Sequence, residues 1–284
     1  MNRLAITSAL MFFLASLSGL FAQDVSVTAE KLIDWEEGIV TIDITASTET
    51  AWTALSSRYD MDKLISKRAP VLTAEIIADI PVSSLDTIGS AILKNTSLYG
   101  DLLKLPDLVG KTFSTAAEDR KSLTVRYDIP VFPYIASLFI ERSEADQVKR
   151  DLRYYPTEDF TGILIYAAEE MPLSGTNRSS ALNPSIFPRL FDEDLNLILD
   201  MSKMEPDYLR RWGTAGFSYD RDRTFYGDRV GAFPLRTMAT GYFGMNSTDI
   251  ILPERAVRQI LSSDRNRQLL AEGRVLIICS RPES

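Results

Sequence analysis

Bases and aromatics alternate most densely between residues 208 and 226 of this 284-residue chain. Arg210, Arg211 and Trp212 stand in a row, Tyr219 follows, and Arg221, Arg223, Phe225 and Tyr226 close the stretch. A guanidinium is a rigid fork of donors that also stacks on aromatic faces, so two chemistries suit the pattern. One is stacking against nucleic-acid bases. The other is anchoring of a protein partner, because Arg, Tyr and Trp carry a disproportionate share of interface energy. Asp220, Asp222 and Asp228 interleave the arginines and offset them locally. The whole chain is also acidic, with 31 Lys and Arg against 39 Asp and Glu. An acidic protein exerts no general pull on phosphate backbones, so nucleic acid is not an expected partner. Arg210, Arg211, Trp212, Tyr219, Arg221, Arg223, Phe225 and Tyr226 are therefore the candidate contacts for a protein. The competing reading is a loop whose arginines pair with neighbouring aspartates while Trp212 and Phe225 fill a core.

The other groupings that could do chemistry fall short of it. Asp192, Asp194 and Asn196 begin like a calcium loop. Leu197 then stands where the turn needs glycine, and Lys203 where a bidentate Glu belongs; the expectation is a solvated acidic turn. Glu169 and Glu170 are adjacent, and neighbours in extended chain point to opposite faces, so they form no carboxylate couple by themselves. The one cysteine, Cys279, ends an apolar run and reads as a small core residue. With no histidine in the chain, Ser-His-Asp and Cys-His catalysis, His-ligated metals and Cys/His zinc sites are all removed. No nucleophile elbow, phosphate-binding loop or dinucleotide fingerprint is present. No cofactor, metal or catalytic residue is assigned, and the chain is read as a non-enzyme.

The elements that must carry these residues begin with a leader. Arg3 is followed by an apolar run over residues 4–20, small Ala22, and the polar Gln23 and Asp24. This is the three-part pattern of a cleavable secretory signal over residues 1–22. Export predicts a periplasmic or secreted protein with no membrane span once the signal is removed. Loss of Arg3 leaves 30 basic against 39 acidic residues.

Residues 38–45 alternate, with Val40, Ile42 and Ile44 on one face, and residues 121–129 do the same with Leu123, Val125, Tyr127 and Ile129. Both predict half-buried strands. A helix is expected to start at Ser47–Glu49 and close at Pro70, with a strand over 71–80 and a long helix over 85–103. Residues 141–153 are a charged helix or linker. Beyond a boundary near 150, short apolar runs predict strands at 161–167, 185–191, 214–219, 235–240, 248–252 and 274–279, with one helix at 254–262. The expected fold class is α+β: a mixed strand-helix domain over 23–150 and a mainly β domain over 151–284 with one late helix.

Several short stretches in the second half carry a resemblance. They are Thr161-Gly162 opening a strand, Asn183-Pro184 running to Asp192-Glu193-Asp194, Arg229-Val230-Gly231 followed by Pro234-Leu235, Asp249-Ile250-Ile251, and the closing Arg274-Val275. In this order they resemble the periplasmic flagellar-assembly T-type proteins and the small-lipoprotein family that shares a domain with them. The resemblance covers residues 157–280. Two departures stand out: Tyr166-Ala167-Ala168 replaces the family's Asp-Ala-Arg continuation, and the lipoprotein members' N-terminal cysteine is missing. The resemblance implies an exported structural or assembly role, with envelope or flagellar basal-body proteins as partners, and supplies no catalytic residue. Two alternatives stand beside it: a carboxylate-dependent envelope hydrolase or ligand-binding protein, and a secreted surface protein unrelated to flagella.

Overall fold

The structure is a computed structural model that describes residues 25–52, 55–151, 155–220 and 227–281. The leader at 1–22, and Arg221, Arg223, Phe225 and Tyr226, lie outside the described residues.

Strand β1 (Val25–Asp34) turns through Trp35–Gly38 into β2 (Ile39–Thr48). Gly38 adopts φ +66°, a conformation with little cost only for glycine. Helix α1 (Leu55–Ile76) follows, then three short helices, α2 (Ile88–Lys94), α3 (Ser97–Leu102) and α4 (Leu105–Val109). Strands β3 (Phe113–Ala116) and β4 (Ser122–Pro130) complete an antiparallel sheet in the order β1-β2-β4-β3. The alternation seen in the sequence is the pleat of this sheet. Val40, Ile42, Ile44, Leu123, Val125 and Ile129 are fully buried beneath α1. The opposite face is polar and paired across strands: Thr41 donates to Asp128 at 2.8 Å, and Arg126 grips Asp43 at 2.7 and 2.8 Å.

Four expectations for this half are corrected. No helix starts at Ser47–Glu49, because β2 continues to Thr48, whose N–H pairs with Lys121 O at 2.8 Å. Pro70 does not end α1 but sits inside it, and the expected strand over 71–80 is the helix's last turns and the turn after them. The buried residues Met61, Ile65, Ala69, Thr73 and Ala74 keep helical spacing through the proline. The long helix over 85–103 is broken into α2 and α3 at Asn95, an extended C-cap. Pro106 stands in the first turn of α4.

After β4 a wide helical turn, Val131–Ile135, leads into irregular chain over 141–151. The second half follows with β5 (Ile163–Ala167), β6 (Met171–Pro172), β7 (Ser179–Ser180), β8 (Leu190–Phe191), β9 (Leu197–Leu199), α5 (Pro206–Trp212), β10 (Gly216–Ser218), α6 (Gly227–Val230), β11 (Leu235–Met238), β12 (Gly241–Phe243), β13 (Asp249–Ile251), α7 (Glu254–Ser262), α8 (Asp264–Ala271) and β14 (Val275–Cys279). The expected strand at 185–191 shortens to β8, and a second late helix, α8, follows the expected one. The fold class is α+β. Strands β10-β14-β5-β11 form a wholly parallel sheet, and β12-β13-β8-β9 a mixed one. In β14 and most of β5 both faces are buried, as parallel strands require. Among the described residues no helix is long and apolar enough to cross a membrane.

The stretches singled out in the second half meet one another. Thr161 Oγ1 donates to Val230 O at 2.6 Å and accepts from Phe233 N–H at 3.0 Å, while Leu235 N–H donates to Gly162 O at 2.9 Å. A Cβ on Gly162 would stand 2.4 Å from Val230 Cα, and one on Gly231 would stand 2.9 Å from Thr161. The Thr-Gly and Arg-Val-Gly stretches are thus two sides of one close backbone crossing.

The two halves share a core. Ile186 and Phe187 N–H groups donate to Pro81 O and Val82 O at 3.0 and 2.9 Å. Trp35 meets Phe217 edge-on at 5.8 Å, and Phe132 meets Phe187 at 6.3 Å. Ser218 Oγ donates to Glu36 Oε1 at 2.6 Å.

Candidate functional site

These cross-contacts surround a cleft of about 200 Å³. Its walls are the β1–β2 turn with Trp35, Glu36 and Glu37, the chain leaving β4 with Phe132, the end of α5 with Arg211 and Trp212, Ser185, and Arg229 of α6.

The end of α5 sets the geometry of one wall. Gly213, at φ +69°, terminates the helix and returns its N–H to Leu209 O at 3.0 Å. A Cβ there would stand 2.3 Å from the Phe132 ring, so glycine lets α5 approach the first half. Trp212, at the last helical position, is half-buried. Its indole N–H donates to Glu272 O at 2.9 Å, beyond the end of α8, and its ring stacks with Tyr208 at 6.0 Å.

Two guanidiniums lie over the Trp212 ring, Arg211 at 4.7 Å and Arg229 at 5.1 Å. Arg229 is partly buried. Its Nη1 donates to Trp212 O at 2.7 Å, Nη2 to Gly213 O at 3.1 Å and Nε to Gly273 O at 3.1 Å. All three carbonyls belong to the ends of α5 and α8, where orphan C=O groups and the helix dipole favour a cation. Burial lowers the Arg229 pKa to about 9, which leaves it charged at neutral pH. Neither Arg211 nor Arg229 pairs with a carboxylate among the described residues. Across the cleft Glu36 is held by Ser218, and Glu37 is exposed. Ser185 lies at 1% exposure, and its hydroxyl has no hydrogen-bond partner.

Of the candidate contact residues, Arg211 and Trp212 line the cleft together. Arg210 faces away into a pair with Asp207 at 3.4 Å. Tyr219 is half-buried outside the cleft; burial raises its hydroxyl to about 12, and the Arg281 guanidinium covers its ring at 5.0 Å. Sequence reasoning missed Ser185, Phe132, Glu36 and Glu37, which come from segments distant in the chain. Arg229 was within reach, since it heads a stretch already singled out.

The remaining groupings have structural roles. Asp192 closes its own turn by accepting from the N–H groups of Asp194 and Asn196 at 3.0 and 2.7 Å, and among the described residues no three acidic or thiol side chains gather to hold a metal ion. Cys279 is buried in β14, and burial pushes its thiol up to about 12. A larger hollow of about 740 Å³ lies along edge strand β11 beside Thr157, Phe160 and Gln259; none of the candidate contacts lines it.

No curated protein matches the chain. Residues 26–138 match the family model for the N-terminal domain of Treponema pallidum Tp0624, and residues 162–281 match the model for its second domain. In sequence, then, the two halves of this chain are similar to the N-terminal and second domains of Tp0624, in that order.

Proposed function

We propose that the chain is an exported, non-enzymatic protein of the cell envelope with an assembly role, and that it docks partner proteins on the face that carries Arg211 and Trp212. The observation that carries this reading is the state of Trp212. It is half-buried at the rim of a cleft between the two halves, with two arginines over it that pair with no described carboxylate. Half-buried Trp and Arg beside a desolvated pocket are the usual anchors of a protein interface. The export signal and the absence of histidine and catalytic motifs support the exported, non-enzymatic part. The link to motility rests on the resemblance of the second half to flagellar-assembly proteins of the periplasm.

Crosslinking and mass spectrometry on intact cells test the docking. Crosslinks to envelope proteins that map to residues 205–220 and disappear in Arg211→Glu are expected, with basal-body proteins among them if the motility link holds. Crosslinks that persist unchanged in a folded Arg211→Glu protein would overturn the docking face.

A further inference from the structure

The cleft poses a chemical problem that the docking reading alone leaves unsolved. Ser185 has 1% of its surface exposed, lines the cleft, and carries a hydroxyl with no partner. Buried polar groups are almost always hydrogen-bonded, and an orphan calls for an explanation. Arg211 and Arg229 line the same cleft, and neither meets a carboxylate among the described residues. Three of the five N–H groups of Arg229 reach carbonyls, which leaves two donors. The remaining walls carry the rings of Trp212, Phe132, Trp35 and Phe217, with Glu36 and Glu37 on the β1–β2 turn. Side-chain sites combine such apolar surface with a small number of polar groups that fix orientation.

We infer that this cleft receives a single carboxylate presented by a partner peptide, bound by Arg211, Arg229 and Ser185 against the aromatic walls. The inference rests on the docking reading and names the group that docks. Arginine recognises carboxylates through paired, charge-assisted N–H donors, and a serine hydroxyl adds a third kind of donor. The volume of about 200 Å³ admits a side chain or a chain terminus, not a folded surface. Glu36 and Glu37 on the opposite wall repel anions in proportion to their charge, so one carboxylate held at the arginines is tolerated where polyanions such as phosphate clusters fit poorly. The cost of holding the Arg229 charge out of water is offset when an anion arrives beside it.

The test uses the full chain and four acetylated dipeptides: alanyl-phenylalanine with a free C-terminal carboxylate, its C-terminal amide, aspartyl-alanine amide, and asparaginyl-alanine amide. Binding is read from the Trp212 indole N–H resonance, assigned with Trp212→Phe, and from calorimetry. At least one carboxylate peptide is expected to bind saturably, and its neutral counterpart at least tenfold more weakly. Which of the two binds tells whether the group is a chain terminus or an acidic side chain. Arg211→Gln should weaken binding at least tenfold and Ser185→Ala severalfold, both with unchanged far-ultraviolet dichroism. Equal responses to charged and neutral peptides, no response to any of the four, or full affinity in Arg211→Gln and Ser185→Ala would each overturn the proposal. Loss of peptide binding with crosslinks intact leaves the docking face standing and sinks only the carboxylate. Peptide binding without any crosslinked partner does the reverse.

Discussion

Arg189 grips Asp249 with Nη2 and Nε at 2.7 and 3.0 Å and adds its backbone N–H at 3.2 Å to the same carboxylate, which is fully buried. The second donor direction of Nη2 goes to Ser84 Oγ in the first half, at 2.5 Å. One guanidinium therefore ties β8 to β13 in the mixed sheet and joins that sheet to the first half of the chain. Both residues fall in stretches that the sequence marked out, the one before Asp192 and the Asp-Ile-Ile strand.

Breaking this pair should be far more costly than replacing it. Asp249→Ala leaves a partly buried guanidinium without its counter-ion, and Arg189→Ala leaves a buried carboxylate, so each should lose about 3–5 kcal/mol. The double variant Arg189→Met/Asp249→Leu should lose much less than the two singles together. Urea unfolding of the three proteins checks the claim, and a double variant less stable than either single would contradict it.

The crossing of Gly162 over Val230 makes a second prediction. Gly162→Ala places a methyl 2.4 Å from a backbone atom, which no side-chain rotation relieves. It should cost about 3 kcal/mol or more, at the upper end for overpacking. Gly38→Ala meets open space and suffers only from its φ of +66°, so about 1 kcal/mol is expected. Thermal melts of the two variants side by side give the ranking; a larger loss for Gly38→Ala would show that the crossing is soft.

What the sequence made legible and what it hid follow from the range of the interactions. Val40, Ile42 and Ile44 alternate because one sheet face is buried, and that signal is local. Val71 to Ile80 misled because Pro70 breaks most helices, and the apolar run behind it is as compatible with a strand as with a buried helix. What holds α1 through the proline is burial of Ile65, Ala69 and Ala74 against a sheet whose strands β3 and β4 come after it in sequence. The cleft was half legible. Arg211 and Trp212 announced themselves by type, whereas Ser185 and Phe132 become site residues only because Gly213 allows α5 to approach β4's end.

Arg229 should prove irreplaceable by lysine. Its planar fork serves three carbonyls at the ends of α5 and α8 at 2.7–3.1 Å, and a compact ammonium does not span them in the same way. Arg229→Lys should recover only part of the roughly 3 kcal/mol lost in Arg229→Met, in which carbonyls lose their donors. Hydrogen exchange should show the loss first in α5 and α8. Uniform loss over the whole chain would mean that Arg229 holds something other than these two helix ends.

Cys279 provides the pH test. Its thiol is buried in β14, and its pKa rises from the ordinary 9.0 to about 12 through burial, with Glu36 adding a like-charge contribution. Above pH 9 the unfolded thiol has given up its proton while the folded one keeps it. The unfolded state then binds fewer protons, so stability falls as pH rises. The contribution is complete below about pH 9 and is lost on the way to about pH 12. Lys31, lowered by burial to about 8, works in the opposite direction, and Tyr127, raised by burial to about 12, adds to the loss above its ordinary 10.0. Tyr219 and Tyr242 are raised too, mainly by burial, and each also feels a Cys279 thiolate. Below pH 10 the folded thiol keeps its proton, so these groups behave alike in Cys279→Ala and the difference between the two proteins isolates the thiol. Cys279→Ala should be about 1 kcal/mol less stable at pH 7 through lost packing, and the gap should shrink between pH 9 and 10 as the wild-type protein alone pays for its thiol. Chemical denaturation at pH 7, 9 and 10 measures it. A gap that stays constant across that range would mean that the thiol ionises no differently when folded, and that its burial in the parallel sheet is not what keeps it inert.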